Sequence, residues 1–67
     1  MDYREVSTEQ ELRKIIETRE PRGLFLYDSG IEIIGVDNLT GDAWTEEFPD
    51  REECVYWLTH PEKEVGV

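Results

Sequence analysis

The sequence predicts one small α+β domain, in which three antiparallel strands form a meander and a helix stands at each end (α-β-β-β-α). Three observations indicate this fold. Apolar residues recur with helical spacing near the start of the chain, and three short β-prone runs separated by turn residues follow. A proline and an acidic helix start then come near the end. Because 67 residues suffice for one domain only, we expect a domain over 1–60 and a flexible tail over 61–67.

The first helix is predicted over Val6 to Arg19. Leu12, Ile15 and Ile16 lie on one side of such a helix, so it buries a narrow apolar stripe. Pro21 then ends the helix. Capping-box spacing occurs twice at its start, in Ser7 with Gln10 and in Thr8 with Glu11.

The three strands are predicted over Leu24 to Asp28, Ile31 to Asp37 and Ala43 to Phe48. Ser29-Gly30 has the composition of a two-residue hairpin turn. Asn38 to Gly41 has the composition of the second turn, in which glycine adopts a positive φ readily. A meander of this kind is about the smallest sheet that is stable when helices cover it.

The second helix begins after Pro49, with Asp50 as the N-cap and Glu53 three residues later. It ends near His60, because Pro61 disfavours helical geometry in the residue before it. Three apolar residues share one side of this helix: Cys54, Trp57 and Leu58.

The hairpin turn at Ser29-Gly30 assigns the side chains of the first two strands to faces, since directions alternate along a strand. We expect both helices on the face of Leu24, Leu26, Ile31 and Ile33, where Trp44 would lie opposite Gly35 and cover it. Two short helices hardly cover both faces of a sheet. The second face would then stay open as an apolar patch with an acidic border, formed by Phe25, Tyr27, Glu32, Ile34 and Val36.

Exposed apolar patches of this kind are typical of interaction sites. The sequence therefore predicts a non-enzymatic module that binds a protein partner, or a second copy of itself, through that face. Self-association would bring Glu32 of one copy close to Glu32 of the other, so a basic partner is favoured over a homodimer.

The charge is strongly negative and unevenly distributed. The chain carries 17 acidic and 7 basic residues, a net charge of −10, and no Lys or Arg lies between Leu24 and Asp50. Such a surface repels nucleic acids and anionic membranes. It also suggests an alternative function, in which the protein mimics nucleic acid and inhibits a host DNA- or RNA-binding protein. The residues that would carry this mimicry are Asp28, Asp37, Asp42, Glu46, Glu47, Asp50, Glu52 and Glu53.

Catalytic and metal-binding patterns are weak, so we expect no enzyme and no cofactor. Glu46 and Glu47 point to opposite faces of a strand and cannot act as a carboxylate pair. Cys54 and His60 lack the partners of a nucleophile or general base. One oxygen-rich turn could hold a divalent cation, but its spacing differs from a calcium loop and is typical of turn hydrogen bonding. This turn contains Asp37, Asn38 and Asp42.

The compartment is predicted to be the cytoplasm. A single cysteine excludes an intrachain disulfide, which small secreted domains commonly need. The first 22 residues are rich in charge, unlike a signal peptide. No apolar run approaches the roughly 20 residues of a membrane span.

One segment of the sequence resembles a group of known proteins. Gly35 to Phe48 reads GVDNLTGDAWTEEF and is followed by Glu53-Cys54 and Trp57-Leu58. This pattern, over about a third of the chain, is similar to small acidic proteins encoded by Gram-positive bacteria and their prophages or mobile elements. The resemblance implies a bacterial cytoplasmic setting and a meander followed by a helix. It implies no activity and no catalytic residue.

Overall fold

The computed structural model describes residues 2–60, which form an α+β fold with four strands and two helices. The predicted tail over 61–67 lies outside these residues. The elements in chain order are β1 (Arg4–Val6), α1 (Glu9–Thr18), β2 (Gly23–Asp28), β3 (Ile33–Asn38), β4 (Trp44–Phe48) and α2 (Arg51–Thr59).

The sheet is mixed and has the order β1-β2-β3-β4. Strands β2, β3 and β4 form the predicted antiparallel meander. The prediction of three strands was wrong, because β1 adds a parallel strand beside β2, with Arg4 opposite Phe25. Parallel neighbours need a crossover connection, and α1 provides it. A three-residue strand has too little periodicity to stand out in the sequence.

The two helices lie on opposite faces of the sheet, so the prediction that both cover one face was also wrong. Side chains of α1 pack with Phe25 and Val36, and this side of the sheet is called the α1 face. Side chains of α2 pack with Leu24, Leu26 and Ile33, and this side is called the α2 face. The crossover from β1 to β2 holds α1 on its own face, which leaves the other face for α2.

Each face has its own apolar core, separated from the other by the sheet. The core of the α1 face consists of Val6, Leu12, Ile15, Phe25 and Val36. The core of the α2 face consists of Leu24, Leu26, Ile33, Cys54 and Leu58. The prediction that Leu58 and Cys54 join Leu26 is confirmed, whereas Leu12 and Ile15 lie on the side opposite to the one predicted.

The register between β2 and β3 differs by two residues from the one predicted. Asp28 pairs with Ile33 instead of Ile31, because the hairpin loop contains four residues. The N–H of Ser29 donates to the carbonyl oxygen of Glu32 (3.0 Å) and closes this loop. A shift of two preserves the faces, so the predicted alternation holds. Ile31, however, lies at the tip of the loop and is 93% exposed.

The helix starts follow the predicted caps. The Glu11 N–H donates to Thr8 Oγ1 (3.1 Å), and the Glu53 N–H donates to Asp50 Oδ1 (2.8 Å). These bonds satisfy amides that have no partner inside the helix. The choice between the two capping sites of α1 is thereby settled in favour of Thr8.

The loop after α1 is tied to the turn between β3 and β4 by one buried side chain. Asn38 is fully buried, and its Nδ2 donates to the carbonyl oxygen of Pro21 (2.9 Å). Its Oδ1 accepts from the N–H of Ala43 (3.1 Å). Both polar ends of Asn38 are therefore satisfied, and the loop after α1 is fixed against the far end of β3.

Candidate functional site

The most distinctive surface is the part of the α1 face that the helix does not cover. Tyr27 and Ile34 pair across β2 and β3 and are only half-buried. Glu47 pairs with Ile34 and continues this row onto β4, and Thr45 lies two residues before it on the same face. Both are exposed, and Glu32 borders the row. We call this surface the exposed margin; it consists of Tyr27, Glu32, Ile34, Thr45 and Glu47.

Two residues of the predicted interaction surface lie elsewhere. Phe25 and Val36 are buried beneath α1 in its core and offer nothing to a partner. The guanidinium of Arg4 also lies 5.3 Å from the centre of the Phe25 ring. The predicted open face is therefore reduced to Tyr27, Glu32 and Ile34, which lie beside Thr45 and Glu47 of β4.

Two carboxylates meet at the exposed margin. Ile34 pairs with Glu47, so Glu32 and Glu47 are diagonal neighbours on the α1 face. The negative charge of Glu47 raises the pKa of Glu32, and desolvation and a hydrogen bond between the two side chains act in the same direction. A cation beside these two carboxylates would offset the repulsion between them.

Strand β4 is exposed over nearly its whole length. It stands at one end of the strand order in the part of the chain that the structure describes. Trp44 pairs with Asp37, not with Gly35, and is 49% exposed. Phe48 is anchored by Trp57, whose ring centre lies 5.5 Å away. Sequence reasoning missed the exposure of Trp44, because it placed this ring over Gly35, a position that Trp57 and Cys54 occupy instead.

Half of the predicted acidic surface has a role in local structure. Asp28 Oδ1 accepts from the Gly30 N–H (2.8 Å), and Asp42 Oδ2 accepts from Thr40 Oγ1 (2.8 Å). Asp50 caps α2, and Asp37 is buried with its Oδ1 bonded to the Leu39 N–H (3.2 Å). The other four carboxylates are exposed on β4 and at the start of α2: Glu46, Glu47, Glu52 and Glu53.

The oxygen-rich turn is held together by its own hydrogen bonds. Asn38 bonds to backbone groups at both ends, as described above, and Asp37 and Asp42 accept from turn groups. Within residues 2–60, no three acidic, His or Cys side chains are grouped as metal ligands would be.

Cys54 lies in an apolar core, and His60 packs against a neighbouring aromatic ring. Cys54 is fully buried in the core of the α2 face, and burial raises the pKa of its thiol to about 11. A thiol of this kind is a poor nucleophile at neutral pH. The His60 ring stacks on Tyr56 at 3.6 Å between ring centres and lies 2.7 Å from the Tyr56 carbonyl oxygen through Nδ1.

A shallow groove of about 670 Å³ lies at the end of α1, lined by Lys14, Thr18, Glu20, Pro21 and Arg22. Its charges are mixed in sign, so it does not select an ion of either charge.

The two helices have ten and nine residues, and neither has the length and apolar character needed to span a bilayer.

Comparison with known proteins gives no relative. No protein-family model, no curated protein and no solved structure matches the chain.

Proposed function

We propose that this protein is a non-enzymatic interaction module of the bacterial cytoplasm, which binds a protein partner through the exposed margin. The observation that carries the proposal is the incomplete cover of the α1 face. Tyr27 and Ile34 remain half-exposed at the edge of the α1 core, beside the exposed Thr45 and Glu47 of β4. Apolar surface of this kind, with a polar border, is typical of interaction sites.

The charges of the exposed margin support a basic partner. Glu32 and Glu47 already repel one another, and a Lys or Arg side chain between them would remove that repulsion. A second copy would instead bring two further carboxylates, on a chain whose net charge is −10. Charge complementarity therefore favours a different, basic protein over a homodimer.

The test uses Ile34→Lys, which places a cation and a long side chain in the middle of the exposed margin. Its matched control is Ile31→Lys, the same substitution at the exposed loop tip. Tagged wild-type protein and both variants would be used to capture partners from cells of the source organism, with circular dichroism as the check of folding. We expect the partner to be retained by the control and its recovery by Ile34→Lys to fall at least about tenfold, which is roughly 1.4 kcal/mol.

Equal recovery by the two variants would place the binding surface elsewhere. A salt series on the same complex separates the alternative function. Binding that disappears at moderate salt and involves a nucleic-acid-binding protein would favour acidic mimicry through Glu46, Glu47, Glu52 and Glu53. Binding that persists at high salt would favour the apolar contact.

A further inference from the structure

The hydrogen-bond pattern of the sheet identifies which backbone groups of β4 have no strand beside them among residues 2–60. In an antiparallel pair, alternate residues point their N–H and C=O groups toward the partner strand. The Ser29–Glu32 bond shows that the backbone groups of Glu32 point toward β2. Ile34 and Val36, two and four residues later, point theirs the same way. Gly35 therefore faces β4, where its partner is Glu46.

It follows that Glu46 points its backbone groups toward β3, whereas Thr45 and Glu47 point theirs outward. Trp44 and Phe48 lie two residues on either side of Glu46, so their backbone groups also point toward β3. The outer edge of β4 thus presents two N–H and two C=O groups, and their spacing matches the hydrogen-bonding groups of an added strand. Because β4 contains no proline and no bulge in its pairing with β3, the edge lacks the features that commonly prevent strand addition, apart from its charge.

That charge disfavours pairing with a second copy. If two β4 strands paired antiparallel over their full length, Glu46 of one copy would lie directly opposite Glu46 of the other. Like charges directly opposite one another destabilise a strand pair. Each chain would also bring a net charge of −10. The edge is therefore protected against itself while remaining available to a strand of opposite charge.

The side chains along β4 indicate the composition of such a strand. On the α1 face, Glu47 and its neighbour Glu32 favour Lys or Arg in the incoming strand. On the α2 face, the half-exposed ring of Trp44 favours an apolar side chain. Alternation of basic and apolar residues meets both requirements, because successive side chains of a strand point to opposite faces.

We propose that β4 binds a basic, extended segment of the partner protein as a fifth strand of the sheet. The backbone groups of Thr45 and Glu47 form the ladder, and the carboxylates of Glu32 and Glu47 select a basic residue. This mode of binding is β-strand addition, in which the main chain supplies affinity and side-chain contacts supply specificity. The proposal rests on the proposed function and specifies the chemistry and the binding mode of the partner.

The test uses a capped synthetic peptide of alternating lysine and valine, about seven residues long, titrated into the full chain by calorimetry. Thr45→Pro removes one outward N–H, which has no role in pairing with β3, and proline is tolerated at such positions of edge strands. Thr45→Val is the matched control, since it also removes the hydroxyl that donates to the Ala43 carbonyl oxygen. Glu47→Pro is the second variant, in case Thr45→Pro fails to fold, and it is compared with Glu47→Val, which lacks the same carboxylate but keeps the N–H.

We expect saturable binding by the wild-type chain, and affinity at least about tenfold weaker for each proline variant than for the valine variant at the same position. Equal affinity for a folded proline variant and the valine variant at the same position would show attraction through side chains alone and would overturn strand addition. Absence of binding to the wild-type chain would also overturn it. In either case, a partner lost from Ile34→Lys but retained by Ile31→Lys would leave the interaction module itself standing.

Discussion

Gly35 lies in the middle of β3, against side chains of α2. A Cβ atom at this position would lie 2.9 Å from the Sγ of Cys54 and 3.2 Å from the Trp57 ring. Both neighbours are held by the core of the α2 face, so neither can move away freely. Glycine is therefore required here by space and not by backbone conformation.

We accordingly expect Gly35→Ala to lower the free energy of unfolding by about 1–3 kcal/mol, as overpacking of a core commonly does. The penalty should be smaller in a Cys54→Ala background, because the closest atom is then absent. Urea denaturation of the four proteins of this double-mutant cycle measures the coupling. Strictly additive effects would contradict the contact between these two residues.

At the scale of the elements, an unfavourable pair lies where β3 begins beside β4: Glu32, the last residue of the hairpin loop, and Glu47 of β4. The pKa of Glu32 is raised in the folded protein. Its protonated form therefore favours folding at low pH, and this contribution is lost as the pH rises through the folded pKa. At neutral pH the ionised pair opposes the pairing of the two strands.

We expect Glu32→Gln to raise the Tm slightly at pH 7 and to have little effect at a pH below 4.5, the ordinary pKa of a glutamate carboxyl. Thermal unfolding across this range tests the prediction, with Glu17→Gln, an exposed glutamate of α1, as the control. A benefit that is the same at both pH values, or that appears equally in the control, would exclude repulsion between Glu32 and Glu47 as its cause.

Local signals in the sequence were sufficient to predict most of the helices and strands. Thr8 and Asp50 mark the helix starts, and the alternation of Leu24 to Tyr27 assigns their side chains to faces. The position of α1 depends on β1, whose three residues resemble any other short polar stretch. Without β1 there is no parallel pair and no crossover, so nothing in the pattern of Leu12 and Ile15 indicates which face they cover.

The same reason limits the prediction of the site. The sequence is sufficient to place Tyr27 and Ile34 on an incompletely covered face, because the alternation of side chains along β2 and β3 assigns both residues to it. Burial of Phe25 and Val36 follows only from the position of α1. Exposure of Thr45 depends on β4 being the last strand of the described sheet, which is a property of the topology and not of any residue in the strand.

At the scale of the whole molecule, the net charge of −10 acts against the compact state. Few ion pairs offset it in residues 2–60: Arg13 bonds to Glu9 at 3.0 Å, and Arg51 bonds to Glu5, which lowers the pKa of that carboxyl. Added NaCl screens repulsion between surface charges over distances beyond about 10 Å. Stability should therefore increase with ionic strength.

We expect the Tm to rise by on the order of 5 °C between low and physiological or higher salt, which corresponds to roughly 1 kcal/mol in a domain of this size. Glu46→Lys changes the net charge from −10 to −8 on an exposed strand position and should reduce the dependence on salt. A Tm that is independent of NaCl, or the same slope in the variant, would contradict a role for overall repulsion.

The separation of the two cores by one layer of sheet has a consequence for mutational coupling. Phe25 and Leu26 are adjacent in sequence, yet they belong to different cores on opposite sides of the sheet. Substitutions at these two positions share no packing partner in either core and should combine almost additively. Leu26 and Leu58 are 32 positions apart (58 − 26) but lie in one core, so their effects should depend on one another. In this protein, the face of the sheet on which two residues lie determines whether their substitutions have interdependent effects on stability, and proximity in sequence does not.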